Sequence, residues 1–359
     1  MRYKYKIYYL KNLYNFFVIL SLLIFFFSTT KANGNAFKIE NIEISKPFEI
    51  NFNKNEVLDE GFEKSFLELI LLILNSSDQK KIKKTELNEI KGMIDSFSIQ
   101  EEKFIDEIYY VNIGVSFNKK RVFRYLEARN IFPSIPVRKK ILFIPVVIDE
   151  VKKDLLIFNK NKIFDYWNDT VKNSYQIEYI LPTEDLEDLN LVKQRYESIE
   201  QYDFKEITNK YNLKDSIIAL IFKGNDEVRI LSRISIQDNS VLKNQSFSKI
   251  DIYDDNNVNL IIDSLKISYE DYWKNYNQIN TSIKLVLNIR IDSDKNNKIS
   301  NFEKILDKND LVYDFFISKF NKEFIYYQIT FNGTPNNFLK SMSEKNYNFD
   351  TQNKIWLLK

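Results

Sequence analysis

The segment IDSDKNNKISNFEKIL, residues 291–306, carries oxygen ligands at the spacing of a twelve-residue calcium loop. Asp292, Asp294 and Asn296 fall at loop positions 1, 3 and 5. Lys298 offers its carbonyl at position 7, Ser300 stands at 9, and Glu303 is the acid that would clasp the ion with both oxygens at 12. The scaffold argues against such a site. A calcium loop is held between two helices, whereas the preceding SIKLVLNIRI alternates like a strand. Asn297 replaces the glycine of the sharp turn, Lys304 stands where the exit helix needs an apolar residue, and Lys295 and Lys298 dilute the negative charge. The expectation is a polar loop without calcium, and no cofactor.

Other residue groups are weaker candidates. The run TEDLEDL, Thr183 to Leu189, is acidic enough for cation binding or acid–base work. It follows Pro182, however, and acids in a first helical turn complement the helix dipole. Trp167, Trp273 and Trp356 are candidate stacking platforms, yet their amphipathic settings point to core packing.

The chain of 359 residues contains no His and no Cys. Ser-His-Asp and Cys-His catalysis, His or Cys zinc sites and Fe–S clusters are thereby excluded. Any general base must be Asp, Glu, Lys or Tyr. The six glycines are too dispersed for a dinucleotide fingerprint or a phosphate loop. With 52 basic and 50 acidic residues, the chain lacks the electrostatic footprint of a nucleic-acid binder.

The N-terminus has a basic leader (Arg2, Lys4, Lys6, Lys11), an apolar run from Phe16 to Phe27, and small or polar residues up to Ala32. These are the three parts of a secretory signal spanning 1–32. The alternative is an uncleaved anchor, since Tyr8 to Leu13 extends the run toward the ~20 residues that span a bilayer. Both readings place the bulk of the chain in the periplasm, with membrane contact only through this segment. Removing it leaves 47 basic residues of the 52 against 50 acidic ones.

The exported part divides into three units, giving a mixed α/β class. In an N-terminal α/β module (33–137), Val57 to Leu74 is helical by its spacing, Lys81 to Phe97 reads as a second helix, Val111 to Phe117 alternates as a strand, and Val122 to Leu126 is a short helix. The proline-containing IFPSIP closes it. A central α/β module (138–280) opens with KKILFIPVVID, a strand buried on both faces. It continues with a helix at Phe164 and Trp167, the strand QIEYIL, a helix from Pro182, and a hairpin at Gly224-Asn225-Asp226. A long helix, capped by Asp254 or Asp255, carries Val258, Ile261, Ile262, Leu265, Tyr269, Tyr272 and Tyr276 on one face. A C-terminal module (281–359) reads β-α-β-β-α-β, the order of a ferredoxin-like split fold.

Three segments resemble a bacterial exported family, "domain of unknown function 2066": GVSFNKKRVFRYLEARNI, then KKILFIPVVID, then the apolar-Trp-Leu end of FLKSMSEKNYNFDTQNKIWLLK. This chain lacks several small residues and glycines of that family. The resemblance implies export and a signal peptide, but no reaction and no catalytic residues. The expectation is therefore a non-enzymatic periplasmic or envelope protein whose partners are envelope proteins. The alternatives are a His-free periplasmic enzyme using carboxylates, or a calcium-binding envelope protein acting through residues 292–303.

Overall fold

The computed structural model describes residues 37–158, 160–169, 172, 174–237 and 239–359. The signal or anchor expected over 1–32 lies outside the described residues. Among those residues no helix is long and apolar enough to cross a membrane. The architecture is mixed α/β, with three separate sheets.

The first sheet is antiparallel, ordered β1 (Lys38–Pro47), β3 (Ile108–Phe117), β2 (Ile94–Ile105). Alternation along β3 sends Tyr109, Val111, Ile113, Val115 and Phe117 to the inner face. They meet the apolar stripe of α1 (Lys54–Ile73), made by Phe62, Phe66, Leu69, Ile70 and Ile73. A Cβ at Gly61 would overlap the Cδ1 atoms of Ile113 and Ile44, so a larger residue there would force these side-chain ends to shift between α1 and the sheet.

The single helix expected over Lys81–Phe97 does not form. α2 (Ser76–Ile82) ends where the Thr85 N–H and hydroxyl both turn back to the Ile82 carbonyl, at 3.1 and 2.6 Å. A hydroxyl that competes for backbone partners in this way favours a turn over a continued helix. α3 (Leu87–Met93) follows, and from Ile94 the alternation S-F-S-I prevails as β2. α4 (Lys119–Glu127) stands where the short helix was expected.

The central sheet runs β5 (Asp154–Leu156), β4 (Lys139–Asp149), β7 (Ser216–Lys223), β8 (Glu227–Ile236), β9 (Asn239–Ser248), with β6 (Ile177–Ile180) pairing β4 beside β5. KKILFIPVVID is strand β4 and is buried on both faces, as its unbroken apolar run requires. One face is covered by α5 (Lys162–Tyr166) and the long α8 (Asp255–Tyr276). The other is covered by Val192 of α6 (Leu186–Lys193), Ile207 of α7 (Lys205–Thr208) and nearby Ile199 and Phe204.

Pro145 sits inside β4 without breaking it. Leu142 donates to the β7 side, so by alternation Pro145 faces the opposite edge, between the stretches that pair with β6 and β5. No ladder bond is lost there. The Pro145 carbonyl instead accepts from the buried Asn161 carboxamide at 3.1 Å, whose oxygen caps α5. The helix expected from Pro182 begins at Leu186, because Asp185 supplies the cap to the Glu187 N–H at 2.8 Å.

The third sheet is ordered β11 (Val312–Phe320), β12 (Phe324–Phe331), β10 (Leu285–Asp292), β14 (Ile355–Leu358), β13 (Phe349–Asp350). With α9 (Asn296–Lys308) and α10 (Pro335–Ser343) it contains the expected βαββα order. The expected single closing strand is instead a hairpin, reversed where Asp350 accepts the Gln352 N–H at 3.1 Å. β14 lies parallel to β10 and β13 forms the edge, so the sheet has five strands rather than four. Both helices pack on one face through Phe302, Leu306, Phe338 and Met342.

Candidate functional site

The calcium-loop residues are not gathered. Asp292 ends β10 and pairs with its own neighbour Lys295. Asn296, Ser300 and Glu303 lie along α9, so most of the twelve-residue span is helix. Glu303 accepts the Tyr327 hydroxyl at 2.6 Å, and Lys298 reaches the Lys359 carbonyl. Asp294 lies in the turn between, after Ser293 has been tied to the Glu323 and Lys322 carbonyls. Among the described residues no group of three or more acids is placed to hold a metal ion. Calorimetric titration with millimolar calcium should give no stoichiometric heat. Saturable binding that disappears in Glu303→Gln would contradict this geometry.

The acidic run is helix capping. Asp185 and Asp188 both receive Lys210, at 3.1 and 2.6 Å, and the Asp185 carboxyl is held below its usual range, first by the Glu187 N–H and then by Lys210. Trp167 and Trp273 are core residues, while Trp356 is half-buried in the third sheet.

The carboxyl ends of parallel strands are where open α/β sheets place ligands. Here that position holds the buried Asp149, opposite Lys223 in the β4–β7 register. Its oxygens receive the Val151 and Lys152 N–H groups at 3.1 and 2.9 Å and the Tyr253 hydroxyl at 3.0 Å, with the Lys223 ammonium as an ion-pair partner 3.6 Å away. Burial works against its charge, but these donors outweigh burial and hold its carboxyl below the usual range. A carboxylate that already accepts three hydrogen bonds and has its acidity increased is a poor base.

A second charged group was not singled out by the sequence analysis, which named only the apolar face of this long helix. Lys266, Glu270 and Lys274 recur every four residues on α8 and are all buried. Each is spent on backbone. Glu270 accepts the Gln176 N–H and, at 2.8 Å, the Ile177 N–H. Lys266 donates to the Trp167 carbonyl, and Lys274 to that of Leu71. Burial raises the Glu270 carboxyl above its ordinary range, against the two N–H donors, and lowers both lysines.

Lys274 belongs to a set that closes the end of α1. That helix has no basic residue in its last turn, and its final carbonyls need donors. Lys274 serves Leu71, the Gln176 side chain serves Leu72 at 2.6 Å, and Ser134 serves Ile73 through both its N–H and hydroxyl at 2.7 and 3.0 Å. Beside them Asp271 accepts the N–H and hydroxyl of Ser76, the first residue of α2, at 2.7 and 2.6 Å. A cation thus meets a helix C-terminus and an anion a helix N-terminus, both favourable to the dipoles. The cluster is a joint between the first and central sheets rather than a reactive centre.

What remains open is a strand edge. β9 ends the central sheet, and its register with β8 runs unbroken from Glu227↔Ser248 to Ile236↔Asn239. The other long edges are interrupted: bulges fall in β1, twice in β2 and twice in β11. β9 has no proline, and its one charged residue, Lys243, turns inward to the Ser268 carbonyl at 3.1 Å. Leu242, at 60% exposure, and Val241 face solvent. Edges usually carry bulges, prolines or outward charges that prevent pairing with other chains, and β9 has none of these. Sequence reasoning missed this strand, because NSVLKNQSFS alternates only weakly and is mostly polar.

No protein-family model matches the chain, and no curated protein is significantly similar to it.

Proposed function

We propose that this is an exported, non-enzymatic envelope protein that acts by binding a partner, with residues 33–137, 138–280 and 281–359 as its modules. The observation that carries the reading is the unprotected edge of β9. An extended segment of a partner can add to such an edge, taking affinity from main-chain hydrogen bonds and specificity from alternate side chains. The engagement of Asp149 and Glu270 by backbone donors favours this over the His-free enzyme. The basic-apolar-small leader and the resemblance to the exported family support a periplasmic or membrane-anchored setting and envelope proteins as partners. These parts of the proposal rest on the sequence.

Photo-crosslinking in living cells tests the edge. A photoreactive residue at Leu242 should yield one discrete adduct. Adding the double change Asn244→Lys and Ser246→Lys should abolish it while leaving thermal unfolding unchanged, because edge charge blocks strand pairing. An adduct unaffected by the lysines, or none at all, would overturn the edge as the binding surface.

A further inference from the structure

A half-open trough of about 710 Å³ lies between α1, α2, α3 and the flank of α8, and no β9 residue lines it. Its lining includes Phe66, Leu67 and Ile70 of α1, Ile82 of α2, Ile90 of α3 and Ile267 of α8. Leu67 and Ile267 are nearly half exposed although each is a large aliphatic side chain. The volume is within the ~300–1,000 Å³ range of ligand pockets, and most of the surface lining it is apolar although polar residues alternate along its rim.

Charge at the rim is unevenly compensated. Lys64 pairs with Glu60 at 2.9 Å, and Lys81, just outside, pairs with Asp78 at 2.6 Å. Lys80 and Lys83, which line the α2 side, are exposed and form no ion pair among the described residues. Glu63 lies on the α1 side of the same trough. An apolar floor with two uncompensated cations at one lip is complementary to a molecule that has an apolar chain and an anionic end.

We propose that this trough binds a single-chain anionic amphiphile, of the fatty-acid class, taken up as a monomer. The acyl chain lies over Phe66, Ile70, Ile82 and Ile267, and its carboxylate meets Lys80 and Lys83. The chain supplies apolar burial, and the lysines distinguish the sign of the head group.

The test is calorimetric titration of the chain, purified without detergent, with laurate below its micellar concentration. Saturable one-site binding is expected, weakened about tenfold or more when dodecyltrimethylammonium replaces laurate. The double variant Lys80→Glu, Lys83→Glu should lose affinity for laurate to a similar extent, and Ile267→Lys should block it. These residues are exposed or partly exposed at the trough, so unchanged thermal unfolding would verify that the variants fold. Absence of saturable laurate binding would overturn the proposal. So would equal affinity for the cationic analogue, or unaltered affinity in the folded double variant. Binding to phosphatidylglycerol vesicles that laurate does not displace would assign the lysines to a membrane surface and overturn it as well.

Discussion

Glu270→Ala should destabilise the folded chain by roughly 3–5 kcal/mol, because it removes the buried acceptor of two backbone amides. The side chain is 2% exposed and accepts three hydrogen-bond contacts from the Gln176 and Ile177 amides. Alanine leaves two buried N–H groups without acceptors, at a cost of roughly 1–3 kcal/mol each. Chemical denaturation of both proteins at one pH reads the effect directly. A loss below about 1 kcal/mol, typical of a surface position, would refute the role given to this carboxylate.

The conservative change Glu270→Gln separates charge from hydrogen bonding. The Glu270 carboxyl is raised in the folded state, chiefly by burial. Above the ordinary glutamate range, the folded chain therefore holds a proton at this position that the unfolded chain has released. Stability from this group falls as pH rises toward the raised value. Glutamine does not titrate, so the advantage of wild type over Glu270→Gln should shrink as pH rises above the ordinary glutamate range. An advantage that grows with pH would mean that the carboxyl is lowered, contrary to the stated cause.

The second large effect is expected at Trp273, one helical turn from Glu270. Its indole is buried, stacks on Tyr276 with ring centroids 5.8 Å apart, and donates to the Val137 carbonyl at 2.7 Å. Val137 lies in the connection entering β4, so this bond fixes the chain between the first and central sheets. Trp273→Ala removes both the ring volume and the donor, and should cost roughly 3–5 kcal/mol. Trp273→Phe keeps part of the ring but orphans the carbonyl, and should cost roughly 1–3 kcal/mol. Equal losses in the two variants would show that packing contributes nothing beyond the hydrogen bond.

The parts of this fold that were legible before the structure are those with strong periodicity. β4 announces itself by an unbroken apolar run, α8 by its i, i+3, i+4 face, and the βαββ start of the third sheet by clean alternation. β2 and β9 were missed for a common reason. As edge strands they are exposed along most of their length, so burial imposes little alternation on their sequence. The C-terminal hairpin was missed because its reversal depends on one Asp350 side-chain acceptor.

Site chemistry was harder to read than fold. The spacing of Asp292 to Glu303 resembles a loop motif in one dimension, yet a strand enters it and a helix takes up Asn296 onward. Lys266, Glu270 and Lys274 look like a solvated helix face. They are buried because the carbonyls closing α1 and the amides entering β6 need charged partners there. Which helix end faces which side chain is a tertiary fact that spacing along one segment does not contain.

The proposed function requires this chain to work outside the cytoplasm by contact with other molecules. Protease accessibility in intact spheroplasts, using a chain tagged at Lys359, tests this most directly. The expected result is that the tagged chain is digested, or is released with periplasmic markers, while a cytosolic control stays protected. N-terminal sequencing then reads cleavage near Ala32 or a retained anchor. Recovery of the full-length chain in the protected cytosolic fraction would contradict the proposed export.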